Sequence, residues 1–166
     1  ISMVSLESSL YIYYAMVNDN TISQVVATAP TDVQTAMFFT EYSGTGRTNT
    51  LDQTANASSG PDNVTTLTVG PTSTTQAADE LLVAAEVVYT AVTGEAWSNS
   101  FTEQDTNGIR VGLRTHELHW AQRIVAATGT YQTDMSWTTA TQARAVLATF
   151  RALETQAIKS ASVIQV

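Results

Sequence analysis

Short segments that alternate apolar and polar side chains, separated by turn residues, constrain this fold most. β-branched residues favour pleated strands, and Thr alone supplies 28 of the 166 residues. The first clear strand is 10–17, whose two faces carry Leu10, Ile12, Tyr14 and Met16 against Tyr11, Tyr13 and Val17. Turn residues follow at 18–20. The pattern predicts an all-β chain.

The same pattern predicts further strands over residues 21–27, 33–42, 55–58, 63–69, 79–89, 109–126, 130–137 and 143–151. The apolar run 81–85 is typical of a central strand buried on both faces, although a helix over 76–88 is an alternative. Residues 143–151 fit a helix and a strand about equally well. Turns are predicted at 103–108 and 138–141, and in the polar stretch 43–71 disorder competes with loops. The whole pattern points to an antiparallel β-sandwich of jelly-roll type.

Composition excludes several partners. Seven basic residues against fifteen acidic ones give a net charge of −8, and Lys159 is the single lysine. Nucleic-acid and anionic-membrane binders need clustered basic side chains, so we expect neither partner. No apolar run approaches the roughly 20 residues that span a bilayer, so we expect no membrane insertion. The absence of cysteine excludes disulfides and thiol chemistry.

Candidate catalytic groups are few. Glu41, Glu80, Glu86 and Glu117 lie in predicted strands, where two carboxylates about 5 Å apart would suit a retaining glycosidase. Nothing in the sequence brings two of them together, and strand glutamates most often face solvent. No nucleophile elbow or phosphate-binding loop is present. We therefore expect no enzymatic activity, no catalytic residue and no cofactor.

Two segments resemble metal sites only in part. His116 and His119 have opposite parity on a strand, so we expect them on opposite sides of the sheet, one half-buried and one facing solvent. The segment 103–108 alternates oxygen ligands before Gly108 but lacks the downstream glutamate of a calcium loop. The sequence predicts no metal site.

Aromatic side chains offer platforms on which sugars stack, and the candidates are Trp97, Trp120, Trp137, Tyr11, Tyr13 and Tyr131. At alternate strand positions Trp120, Trp137 and Tyr131 are expected to fill the core. Trp97 precedes the polar residues 98–100, so we expect it to be exposed. It is the candidate ligand-binding residue, through stacking on a glycan.

Several motifs follow one another along residues 10–151. They are the aromatic strand 10–14, Glu41-Tyr42-Ser43-Gly44, Leu51-Asp52, the segment 78–84, the turn-strand 127–131 and the segment 143–151. Their order and spacing resemble a family of jelly-roll-like β-sandwich modules found in phage virion proteins, of decoration and tail type, and in secreted bacterial proteins. The resemblance implies a closing strand at 143–151, a β-sandwich domain over 1–151 and a C-terminal extension over 152–166.

The resemblance also implies a function. We expect a non-enzymatic structural subunit of a virion or extracellular assembly, most of all a phage capsid-decoration or tail-associated protein, located on a virion surface or outside the cell. Such subunits form homo-oligomers or bind other virion or filament subunits. Family modules usually have two or three strands before the aromatic one, whereas this chain starts almost directly with it at Ile1. A processed or truncated chain and strands from a neighbour are the alternatives, with 152–166 as a candidate exchanged strand.

Two other functions are weaker alternatives. One is a lectin-like module that binds cell-surface glycans, with Trp97 as its platform. The other is a hydrolase, which should display a pair of carboxylates in a groove.

Overall fold

A computed structural model describes residues 2–7, 10–16, 24–26, 28, 35–46, 49–104, 108–110 and 115–153. Over these ranges the chain forms eleven strands and no helix, which confirms the all-β prediction. The strands are β1 (Ser2–Glu7), β2 (Leu10–Tyr14), β3 (Leu51–Ser58), β4 (Val64–Val69), β5 (Asp79–Val88), β6 (Ala96–Trp97), β7 (Thr102–Glu103), β8 (Ile109–Arg110), β9 (Glu117–Ala126), β10 (Thr133–Thr141) and β11 (Ala143–Arg151). Among the described residues, no helix is long and apolar enough to cross a membrane.

The strands pair in three antiparallel sheets. The central sheet has the order β3-β11-β5-β9-β7, with β8 also paired to β9. The small sheet has the order β4-β10-β6, and β1 and β2 form a two-stranded ribbon. The two larger sheets are consistent with the expected β-sandwich, whereas the jelly-roll order of strands stays a prediction.

Strand β5 lies at the centre of the central sheet and is buried on both faces, as its apolar run predicts. Consecutive side chains of a strand point to opposite faces, so alternate side chains of β5 enter two different clusters. The first core cluster contains Leu10, Leu81, Val83, Ala85, Val87, Leu118, Trp120, Val146, Ala148 and Phe150. The second core cluster contains Val69, Leu82, Ala84, Phe101, Ala121, Val125, Ala145 and Leu147. A fully buried leucine in either cluster contributes about 1.5–3 kcal/mol of hydrophobic stabilisation.

An outer layer covers the first core cluster. It consists of β2 and the extended residues 35–42, which alternate exposed and half-buried as predicted but pair with no strand in the described structure. The Tyr14 ring meets Phe150 edge-on, with ring centroids 5.4 Å apart. The Phe38 ring lies 5.8 Å from the Trp120 ring. These aromatic contacts attach the outer layer to the central sheet.

The small sheet covers the opposite face of the central sheet. Its inward side chains join the second core cluster and a third core cluster of Val88, Val92, Met135, Trp137 and Ala143. Met135 is completely buried, and Trp120 and Trp137 are buried as predicted. The second and third core clusters therefore lie between the two larger sheets, and Leu67 and Trp97 pack against both.

Strand β10 continues through residues 138–141, so the turn predicted there is wrong. The ladder between β10 and β4 shifts register between Ser136 and Thr141. In the shifted stretch Thr138 finds another partner, because its backbone N–H donates a 3.0 Å hydrogen bond to the Thr93 carbonyl. A bulge with satisfied backbone groups thus replaces the turn.

Several predictions fall wholly or partly outside the described residues. They concern parts of the predicted strands 10–17, 21–27, 33–42 and 109–126, half of the turn 103–108 and most of the exchanged strand within 152–166. In the part of 109–126 that is described, the chain forms the two strands β8 and β9.

Candidate functional site

Three glutamates are buried in the central sheet. Glu80 and Glu86 have no exposed surface and Glu117 is 5% exposed, whereas Glu41 of the outer layer is exposed. The expectation that strand glutamates face solvent is therefore wrong for three of the four. The cause is that β5 and the start of β9 are covered on both faces, so neither side of those strands meets water.

A buried histidine lies beside two of these glutamates. His119 is fully buried and stands opposite Glu86 in the ladder between β5 and β9. Glu117 precedes it by two positions, so both side chains share the face that points toward the small sheet. His116 is half-buried against Tyr89, with ring centroids 4.5 Å apart. The histidines thus occupy opposite sides of the sheet and one of them is half-buried, as expected, whereas the other is fully buried rather than facing solvent.

Groups on three sides surround the His119 imidazole. Nδ1 lies 3.8 Å from Oε1 of Glu103, and Nε2 lies 3.9 Å from Oε2 of Glu117. The backbone of Gly108 lies against the ring, where a Cβ would be 2.6 Å from Cε1. Gly108 also has a φ of +63°, which favours glycine. The ring therefore has one carboxylate near each nitrogen.

The loop before β6 brings in another carboxylate. The Val92 N–H donates a 3.0 Å hydrogen bond to Oε2 of Glu117, and the Thr93 carbonyl accepts hydrogen bonds from Thr138. This loop places the half-buried Glu95 so that one ligand atom each from Glu95, Glu117 and His119 lie within 4.8 Å of one another. The sequence did not reveal the cluster, because only the long-range packing of this loop brings Glu95 to β9.

The Glu86 carboxyl has no hydrogen-bond partner in the described structure, and it has no exposed surface. Burial, together with repulsion from Asp134, raises the pKa of Glu86 well above its usual range. The neutral acid is therefore the favoured form in the folded protein.

A second acidic pair occurs at the other end of β5. Arg151 donates a 2.7 Å bond to Oδ1 of Asp52, and the Gln76 N–H donates a 2.5 Å bond to Oδ2. Burial and the neighbouring Asp52 raise the pKa of Glu80 to about 7. Burial alone would raise the pKa of Asp52, but hydrogen bonds from Glu80, Arg151 and Gln76 lower it to about 2.

Burial determines what this pair can do. The sequence brought no two carboxylates together, whereas the fold joins Asp52 of β3 to Glu80 of β5. Both side chains are buried, and Asp52 is bound to Arg151. Asp52 of β3 thereby links Arg151 of β11 and Glu80 of β5.

Trp97 is half-buried rather than exposed, contrary to expectation. Its ring packs against the second and third core clusters. Tyr131 is also half-buried, and its hydroxyl donates to the Ala127 carbonyl. The reason is that β6 pairs with β10 in the small sheet, which turns Trp97 toward the core despite the polar residues after it.

The exposed aromatic side chains lie elsewhere. Tyr11, Tyr13, Met37 and Phe39 are 40%, 61%, 54% and 45% exposed, all on the outer side of the outer layer, and we call them the aromatic strip. The Tyr11 and Tyr13 rings are 6.0 Å apart. All four side chains are large and predominantly apolar.

A shallow depression of about 290 Å³ lies beside β7 and β9. Its lining is Ser100, Thr102, Gln104, Gln122, Arg123 and Ile124. All of these side chains except Ile124 offer hydrogen bonds, but none of the six is an aromatic platform of the kind that sugars stack on.

No protein-family model matches the chain, and neither a curated protein nor a solved structure was found to be similar to it. The resemblance to phage and secreted β-sandwich modules therefore stays a prediction. What the protein does has to be inferred from the geometry described above.

Proposed function

We propose that this protein is a non-enzymatic structural subunit of an extracellular assembly, with a phage decoration or tail protein as the setting that the sequence resemblance favours. The aromatic strip is the observation that carries the proposal. Monomeric proteins rarely leave large contiguous apolar patches in water, and such patches mark interaction surfaces. Tyr, Phe and Met are also enriched in protein interfaces.

A second copy of the same chain is the proposed occupant of the strip. The four side chains carry no charge, and the exposed Glu41 lies at the end of the segment that contributes Met37 and Phe39. Two strips related by a two-fold axis would bury apolar surface at the centre and keep the acidic groups at the rim. This arrangement avoids placing like charges together in a chain whose net charge is −8.

The described acidic groups support a structural role over a catalytic one. Glu80 and Asp52 are buried and bound to neighbouring strands, and the depression beside β7 is shallow. The half-buried position of Trp97 gives the lectin-like alternative no support. A homo-oligomeric building unit needs only the rigid sandwich and the strip.

Analytical ultracentrifugation over a range of concentrations tests the proposal. We expect wild-type protein to associate, and Tyr13→Lys to remain monomeric because a charge at the centre of the strip must be desolvated on association. The matched control is Ile124→Lys, since Ile124 is 44% exposed and lies outside the strip. This variant should associate as wild type does.

Two outcomes would contradict the proposal. One is a wild-type protein that stays monomeric at its highest soluble concentration. The other is association that Tyr13→Lys and Ile124→Lys change equally, since the strip would then not be the interface.

A further inference from the structure

We propose that Glu95, Glu117 and His119 bind one divalent transition-metal ion, with Glu86 as a further acidic neighbour. The site lies between the central and small sheets, on the face opposite the aromatic strip. It is therefore independent of the structural role proposed above. A metal here would join the loop before β6 to strand β9.

The distances suit a small ion. Ligand atoms from the three residues already lie within 4.8 Å of one another. Zinc–ligand bonds of about 2.0–2.2 Å place neighbouring ligand atoms roughly 3–4 Å apart. Glu95 is half-buried and lies on the loop before β6. Glu117 and His119 are buried and form the floor of the site.

His119 is oriented as metal-binding histidines are. Its Nε2 faces Glu117, and its Nδ1 faces Glu103. Metal-binding histidines commonly have a carboxylate on the side of the ring nitrogen that does not bind the metal. The backbone of Gly108 limits rotation of the ring. We therefore assign Nε2 as the ligand atom and Glu103 as the residue that positions the ring.

An independent observation also points to a cation. Glu86 is completely buried, stands directly opposite His119, and neither of its oxygens has a hydrogen-bond partner in the described structure. A buried carboxyl group without a partner is costly. An ion held by the three ligands would lie on the same face of the sheet as this carboxyl and would supply what it lacks.

The donor set indicates the class of metal. One imidazole with two or three carboxylates suits Zn²⁺ or Mn²⁺. Calcium prefers six to eight oxygen ligands, more than these residues provide. Glu95 and Glu103 are only half-buried, so the ion reaches the site from their side.

Metal titration of the tag-free, EDTA-treated protein tests the site. Isothermal titration calorimetry with ZnCl₂ or MnCl₂, and elemental analysis after dialysis, should give one ion per chain. Glu95→Gln should weaken binding roughly 10- to 100-fold or more, since losing even an outer-sphere partner has that effect. Glu41→Gln removes an exposed glutamate from the opposite face and should leave the affinity unchanged.

A second measurement separates binding from folding. The Mn²⁺ electron paramagnetic resonance signal should diminish on binding to wild-type protein and persist with His119→Gln, while circular dichroism reports whether each variant keeps its strands. Three results would overturn the proposal: no stoichiometric binding, equal affinity in folded Glu95→Gln, or Ca²⁺ binding as tight as Zn²⁺. The first would mean that the cluster serves packing alone.

Discussion

The buried carboxyl group of Glu80 makes the stability of the folded protein depend on pH. Its pKa of about 7 in the folded protein lies above the ordinary value of 4.5. The folded chain therefore binds more protons than the unfolded chain between these values, and stability falls as pH rises through this window. Asp52 acts in the opposite sense, because its pKa is lowered from 3.8 to about 2. Its contribution is present above pH 4 and is lost only as pH falls toward 2.

We expect Glu80→Gln to reduce this pH dependence. The amide resembles the protonated acid and can still donate to Asp52, so the contribution of Glu80 is lost, while that of the buried Glu86, whose pKa is also raised, remains. Between pH 5 and 8 the free energy of unfolding should therefore fall by about 2 kcal/mol more in wild-type protein than in Glu80→Gln. Urea denaturation of both proteins at several pH values measures this difference. Glu41→Gln is the control, and its free energy of unfolding should depend on pH as that of wild-type protein does. A flat wild-type profile would contradict the assignment.

A substitution of Gly108 tests how closely the chain packs around the His119 ring. Gly108→Ala should destabilise the protein by roughly 1–3 kcal/mol, because the new methyl group meets the His119 ring. Gly60→Ala is the matched control, since Gly60 has the same φ of +63° with nothing within 4 Å of the added Cβ. The difference between the two variants in denaturation isolates the clash from the backbone strain. Equal losses would show that the ring is not confined.

At the scale of elements, the outer layer depends on one polar contact as well as on its rings. The Tyr42 hydroxyl donates a 2.6 Å hydrogen bond to Gln122 of β9. Burial raises the pKa of Tyr42 to about 12. The hydroxyl is thus neutral and available as a donor at any physiological pH.

Tyr42→Phe should loosen this layer without unfolding the sheets. Losing the bond leaves the Gln122 carbonyl unsatisfied, which costs about 1 kcal/mol. Hydrogen exchange of the described residues 35–46 should become faster while β5 stays protected. Tyr13→Phe, which alters an exposed ring, should change neither. Unchanged exchange in Tyr42→Phe would show that aromatic packing alone holds the layer.

Patterns within one strand predicted most of the fold, and contacts between distant strands account for the errors. The pattern predicted the bounds of β5 to within one residue, and the apolar run 81–85 predicted its two-sided burial, but the burial of Glu80 and Glu86 on either side of that run was not predicted. The turn expected at 138–141 was wrong because Thr93 supplies a partner that local sequence does not show. The candidate metal cluster was missed for a similar reason, since packing alone brings Glu95 to His119.

At the scale of the whole molecule, the order of strands differs from the order along the chain. Strand β11 lies between β3 and β5, with Ala145 opposite Ala57 on one side and Glu86 on the other. The central sheet therefore joins segments that are far apart in sequence. Such non-local pairing slows folding, because long loops must close before the contacts stabilise them.

During translation, β3 and β5 are synthesised well before β11. Until residues 143–151 emerge, the nascent chain holds two strands whose shared neighbour has not yet been made, and each presents unpaired backbone groups that can capture another chain. The central sheet therefore cannot form completely until residues 143–151 have been translated. Protection of the growing polypeptide, by a chaperone or by rapid completion, matters more for this topology than for one whose neighbouring strands are made in succession.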